Sequence, residues 1–173
     1  MSAWFLTYGF TDVLDDLLIG AYPLDDDDVT MLSRMGIRRV LNLSEDREYG
    51  PGERERVQAA LAAAGIEEQR VALTDYGGLP AEKLEALAHQ LSEWLDSGVR
   101  TYLHCRAGWQ RSPAVAAAVI ALRSGVDIDE ALAHVRSRKP SADPLPQQLD
   151  DLSKWWSSRD ATPRPAAGER RGA

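Results

Sequence analysis

The sequence predicts an α/β fold: a central, mostly parallel sheet of about four or five strands, with helices on both faces and a tight polar loop between the last strand and the helix after it. Two observations carry this expectation. Short apolar runs, Val40-Leu41-Asn42-Leu43 and Tyr102-Leu103 among them, alternate with helix-forming stretches that end on glycine. Such alternation implies parallel strands covered on both faces. The run 99–104 then passes through Cys105-Arg106-Ala107-Gly108-Trp109-Gln110-Arg111-Ser112-Pro113 straight into the apolar stretch 114–122. That is a buried strand, a short loop and a helix with no linker between them.

Residues 4–24 predict one or two short strands, Val13-Leu14 and then Leu17 to Tyr22, joined by a turn at Asp15-Asp16. The aromatics Trp4, Phe5, Tyr8 and Phe10 read first as packing residues and second as the rim of a site. Asp25 to Asp28 put four acids at the positive end of a short helix bearing Val29, Met31, Leu32 and Met35. They are taken as capping and solvated charge rather than a metal site. Residues 37–43 predict a central strand, and a helix follows Pro51 as far as Gly65. Residues 66–74 read as another strand around Val71 and Leu73. Pro80 opens a helix with Leu84, Leu87, Leu91, Trp94 and Leu95 on one face, stopped by Gly98. After the polar loop and its helix, Asp127 is placed to cap a helix bearing Ile128, Ala131, Leu132 and Val135. A last amphipathic helix is expected over 146–156.

The 173 residues, 44% hydrophobic and 27% charged, fit one domain over 1–157, and the Pro-, Ala-, Gly- and Arg-rich stretch 158–173 is expected to be a disordered tail. A formal charge of −7 argues against non-specific binding to nucleic acid or an anionic membrane. No apolar run approaches the roughly 18 residues of a membrane span, and no signal peptide is visible. A single Cys excludes an intramolecular disulfide and fits a reducing compartment, so the expected location is the cytoplasm. No partner beyond a substrate is implied, and nothing fixes an oligomeric state.

The polar loop carries the chemistry. It holds its backbone N–H groups at a helix N-terminus, where unpaired donors and the helix dipole attract an anion. Cys105 opens the loop and Arg111 closes it, with five residues between them. An arginine fork grips two oxygens of a phosphate while the loop amides hold the others. The same positive field favours the thiolate, the nucleophilic form of cysteine. Ser112 is placed to cap the helix and Pro113 to fit its first turn.

With His104 before the Cys and Ser112 after the Arg, the stretch resembles the signature of the cysteine-dependent protein tyrosine phosphatases, in particular the compact dual-specificity branch. The resemblance runs from about Leu17 to Trp156. It takes in the entry strand Leu18-Ile19-Gly20-Ala21-Tyr22-Pro23 and the Arg138-Lys139-Pro140-Ser141 segment. Gln110 departs from it, standing where a small residue is usual. The resemblance implies a phosphoprotein phosphatase acting on phosphotyrosine and on phosphoserine and phosphothreonine through a cysteinyl-phosphate, without metal or other cofactor. Cys105 would be the nucleophile and Arg111 the phosphate fork. Arg106, Ala107, Gly108, Trp109 and Gln110 would contribute loop contacts to the phosphate, Ser112 a hydrogen bond to the sulfur, and His104 support for the loop. Asp75, thirty residues before the Cys and ahead of Gly77-Gly78, would be the general acid, with Asp143 and then Asp46 as alternatives. Trp109 could lay its indole against a phenyl ring.

Other readings of the same residues are a phosphatase of a phosphoinositide or nucleotide, a sulfurtransferase-like enzyme, and a phosphate-binding module without activity. Lipid- and RNA-directed enzymes of this kind tend to add basic loop residues, and here only Arg106 does so.

Overall fold

The structure, a computed structural model, describes residues 1–160. The expected tail therefore lies outside the described residues from 161 onward, and the last helix runs on to Asp160 instead of ending near Trp156. In chain order the elements are α1 (Ala3–Tyr8), β1 (Phe10–Leu14), β2 (Leu17–Gly20), α2 (Asp26–Arg34), β3 (Arg39–Asn42), a 3-10 turn (Asp46–Glu48), α3 (Glu53–Ala63), β4 (Glu67–Arg70), α4 (Ala81–Asp96), β5 (Thr101–His104), α5 (Arg111–Ser124), α6 (Ile128–Arg138) and α7 (Pro146–Asp160).

The five strands lie in the order β1-β2-β5-β3-β4, and only β1 runs antiparallel to its neighbour. Side chains alternate across a strand, so the sheet sorts its residues between two cores. Leu17, Ile19, Leu41 and Leu103 face a core shared with α4 to α7, while Leu18, Val40 and Tyr102 face one shared with α1 to α3. β5 is central and wholly buried, bonded to β2 on one side and β3 on the other. Its C-terminal end, like those of β2 and β3, opens onto the edge where an open parallel sheet takes its ligands. α5 is buried from Arg111 to Ala121, which is why its sequence is apolar all round.

Three local expectations change. The first strand region begins as a helix: Ser2 accepts the Phe5 N–H and caps α1, which buries Phe5. β4 covers only Glu67 to Arg70 of the expected 66–74 and lies at the sheet edge. The chain nevertheless keeps bonding along β3, from Val71 N to Asn42 O at 2.9 Å and from Leu73 N to Leu43 O at 3.0 Å, and so delivers Asp75 to the ligand edge. The acids before α2 divide. Asp25 caps the helix, but Asp28 is fully buried and solvated by protein donors rather than by water.

Candidate active site

β5 ends at His104, and the loop that follows folds over the end of β2. Gly108 sits there at φ 73°, and a Cβ on it would come within 2.5 Å of the Gly20 backbone. Only glycine permits both this conformation and this approach. The Arg106 carbonyl accepts the Tyr22 N–H at 3.0 Å, and the Trp109 carbonyl accepts the Asp143 N–H at 2.7 Å, so the loop is braced on both flanks. Cys105 lies at its floor, 2% exposed, with Sγ 3.4 Å from Ser112 Oγ. This corrects the capping role expected of Ser112. The helix starts two residues earlier, at Arg111 with Gln110 at the N-cap position, and the hydroxyl turns to the sulfur. The amides entering α5 have no intrahelical acceptors and form the positive end of its dipole.

Arg111 is the largest fully buried side chain among the described residues. Its Nη1 and Nη2 each donate to a Glu48 carboxylate oxygen at 2.7 Å, Nη1 also reaches Leu73 O at 2.9 Å, and Nη2 reaches Asp75 Oδ1 at 3.0 Å. Burial opposes the guanidinium's charge. The Glu48 carboxylate bonded to it, with the charges of Cys105 and Asp75, outweighs burial and raises its pKa further above the usual arginine value. Nε is buried and has no partner among the described residues. The expected two-oxygen grip of the fork is therefore changed: both Nη atoms are committed to Glu48, Leu73 and Asp75, and Nε is the N–H left without a protein acceptor.

Sequence reasoning missed Glu48. Within Glu45-Asp46-Arg47-Glu48 it reads as one more solvated charge, and its burial is decided by an arginine sixty-three positions away. A signal was present in the Glu45–Glu48 spacing. Glu48 accepts the Glu45 N–H at 2.7 Å in a reciprocal capping box on the 3-10 turn. Glu45 in turn accepts the Asp75 N–H at 3.0 Å. That bond first, and Arg47 second, hold its carboxyl below the usual carboxylate value. One short turn thus braces both the arginine and the loop carrying the acid.

Asp75 lines the same pocket as Cys105, Arg106 and Arg111, a cavity of about 230 Å³. The alternatives for the acid lie elsewhere. Asp143 is exposed and meets the loop through its backbone, and Asp46 pairs with Arg70 at 2.5 Å. Tyr76 follows at φ 56°, a left-handed conformation that is rare for a bulky residue, and is 73% exposed at the pocket mouth. Trp109 is 43% exposed, and Trp4 and Tyr8 complete that side. A larger cleft of about 620 Å³ opens between the Asp75 loop and α7 but contains neither the thiol nor either arginine.

His104 is 1% exposed, and its Nδ1–H donates to the Cys105 carbonyl at 3.1 Å. Burial pushes the imidazole down to about 4. The unfolded chain, with a pKa near ~6.5, therefore binds the extra proton first on acidification. The contribution is complete above about pH 6.5 and is lost as pH falls toward the folded value, amounting to about 3 kcal/mol. Denaturant unfolding at pH 7.5 and 4.5 should show this loss in the wild type and a shallower loss in His104→Asn. Equal slopes would remove His104 from the acid sensitivity.

The dual specificity phosphatase catalytic-domain family matches residues 18–158, a span that holds the whole loop and the acid segment. The chain belongs to this family. Among proteins of the family, it is 30% identical over 128 residues to human (Homo sapiens) dual specificity phosphatase 28. That match covers 72% of this chain, which spans 65% of the relative's length. The mouse putative dual specificity phosphatase solved with zinc tungstate is 26% identical, with a TM-score of 0.70 over 88% of this chain and 89% of that one. Tk-PTP in its active form shares the fold at 21% identity, with a TM-score of 0.76 over 86% and 96% of the two chains. A cysteine-dependent, phosphatase-like enzyme is the general character that family and fold support. Among the described residues, no group of three or more His, Cys, Asp or Glu side chains could hold a metal, and no helix is long and apolar enough to cross a membrane.

Proposed function

We propose that this dual-specificity-type enzyme is a phosphoprotein phosphatase that hydrolyses phosphotyrosine and also phosphoserine and phosphothreonine. The observation carrying the reading is that Cys105, Arg111 and Asp75, from separate segments, line one pocket. In the first step Cys105 Sγ forms a bond to phosphorus as the P–O bond to the leaving group breaks, and the Asp75 proton passes to the departing oxygen. In the second step a water oxygen attacks phosphorus, its proton returns to Asp75, and the S–P bond breaks to release inorganic phosphate and the thiolate. Ser112 Oγ, 3.4 Å from the sulfur, stabilises that thiolate as it departs. Arg111 Nε and the loop amides face the equatorial oxygens throughout, a preorganised electrostatic contribution of the kind that usually dominates. Arg106 and the backbone of Ala107, Gly108, Trp109 and Gln110 complete the phosphate contacts. A cytoplasmic setting belongs to the same proposal, since reducing conditions keep a lone thiol free.

A panel of phosphotyrosine and phosphothreonine peptides, a phosphoinositide, a nucleotide, and thiosulfate with cyanide tests this. The highest kcat/KM should fall on a phosphopeptide. A phosphoinositide or nucleotide leading the panel would move the substrate class, and thiocyanate production without phosphate release would overturn the phosphatase reading.

A further inference from the structure

The loop that carries Asp75 has little of its own to hold it in place. Leu73 and Leu79 are buried at its ends, but none of residues 74–78 is buried and two of them are glycine. Its turn is closed by Gly77 N to Thr74 O at 2.9 Å, with Tyr76 inside it in the left-handed region. A bulky residue keeps that conformation only where its surroundings impose it. The placement of Asp75 in the pocket therefore depends on polar contacts from outside the loop. Those at the front come from the site itself, Glu45 to the Asp75 N–H and Arg111 to the Asp75 carboxylate.

Those at the rear come from α7. Gln148, fully buried, donates from Nε2 to the Gly77 carbonyl at 3.0 Å, and Asp151 Oδ2 accepts the Leu79 N–H at 2.7 Å. Gln148 Oε1 accepts the Leu145 N–H at 3.1 Å, so its amide satisfies both partners in one orientation only. Gly78 stands between the two tethered residues, where a Cβ would come within 2.6 Å of Asp151 Oδ2 and 2.8 Å of Gln147 Nε2. Glycine here gives α7 room to approach. The helix is a firm backing, because Leu152 and Trp155 are buried in the core and Trp155 Nε1 donates to Glu85 of α4 at 2.7 Å. α4 itself starts where the loop ends.

We propose that Gln148 and Asp151 are positioning residues for the general acid: by fixing Gly77 and Leu79 from behind, they hold Asp75 where its proton reaches the departing oxygen. The inference rests on the phosphatase reading and on Asp75 as its acid. Among the described residues neither side chain is hydrogen-bonded to the thiol or to the phosphate loop. Only the proton-transfer part of the reaction should therefore respond to their loss.

The test is kcat and KM for aryl phosphates with good and poor leaving groups, in wild type, Asp151→Ala, Asp151→Asn, Gln148→Met, and Asp151→Ala combined with Asp75→Asn. Asp151→Ala should lower kcat roughly tenfold to hundredfold on the poor leaving groups, within the ~10²–10⁴ that a general acid supplies, and much less on the good ones. KM and tungstate affinity should stay close to wild type. Asp151→Asn keeps an acceptor for the Leu79 N–H and should recover most of the loss. Gln148→Met removes the donor to Gly77 at similar volume and should show the same leaving-group dependence. Added to Asp75→Asn, Asp151→Ala should slow turnover no further, because the residue it positions is no longer an acid. A stabilising role alone would lower the melting temperature and slow every ester alike. A uniform loss, no loss in the folded variants, or full additivity with Asp75→Asn overturns the proposal, and either single variant decides it if the other does not fold. Those outcomes leave the phosphatase reading standing. Wild-type protein inactive on every ester overturns that reading itself, and no leaving-group dependence in Asp75→Asn overturns the acid and its positioning together.

Discussion

Cys105→Ser loses aryl phosphate turnover by at least ~10³-fold, because a hydroxyl at the loop floor is a far weaker nucleophile than the sulfur it replaces. The substitution is nearly isosteric and keeps a hydrogen-bonding atom beside Ser112 Oγ, which now lies 3.4 Å from the sulfur. The pocket therefore persists, and Arg111 with its Glu48 brace is untouched. Binding of a phosphate analogue such as tungstate should remain within a few-fold of wild type. Steady-state assay with an aryl phosphate, paired with calorimetric titration of the analogue, separates the two effects. Turnover retained above about a tenth of the wild-type rate would mean that the nucleophile is another group.

Asp75→Asn lowers turnover by ~10²–10⁴ on esters with poor leaving groups and much less on activated aryl esters, since only the former need a proton delivered to the departing oxygen. The geometry adds a second signature. Asp75 Oδ1 shares Arg111 Nη2 with Glu48, so two carboxylates compete with an incoming dianion for one cation. Asparagine keeps the acceptor atom but removes one of those charges. Phosphate or tungstate should then bind the variant at least as tightly as wild type while its chemistry slows. A uniform loss across leaving groups would assign Asp75 a structural role. The leaving-group pattern appearing in Asp143→Asn instead would move the acid to the far side of the loop.

The sheet and the nucleophile loop were legible because local patterns determine them. The apolar runs that became β3 and β5 and the strand–loop–helix passage through Cys105 depend little on distant residues. The parts that escaped reading depend on long-range contacts. α1 falls at the head of a stretch read as strands on its Val13-Leu14 and Leu17-to-Tyr22 runs, and its aromatics read only as packing or rim residues. Its helix is fixed by the Ser2 cap and by Asp28, twenty-six positions on. Asp28 and Glu48 each sit in acidic runs that look solvated, and each is buried by donors elsewhere in the chain. Ser112 has the composition of an N-cap but stands one residue inside α5, where Cys105 competes successfully for its hydroxyl. Period and composition report which residues face inward. They do not report which buried charge finds which partner.

The central claim is that phosphate is transferred to Cys105, and the direct measurement is to denature the enzyme during turnover of an aryl phosphate and locate the phosphoryl group by mass spectrometry. The account predicts one phosphoryl group on the Cys105 peptide in wild type, a larger fraction of it in Asp75→Asn because hydrolysis of the intermediate also uses that carboxylate, and none in Cys105→Ser. A phosphoryl group on any other residue, or sustained turnover in Cys105→Ser with no labelled intermediate, would contradict it.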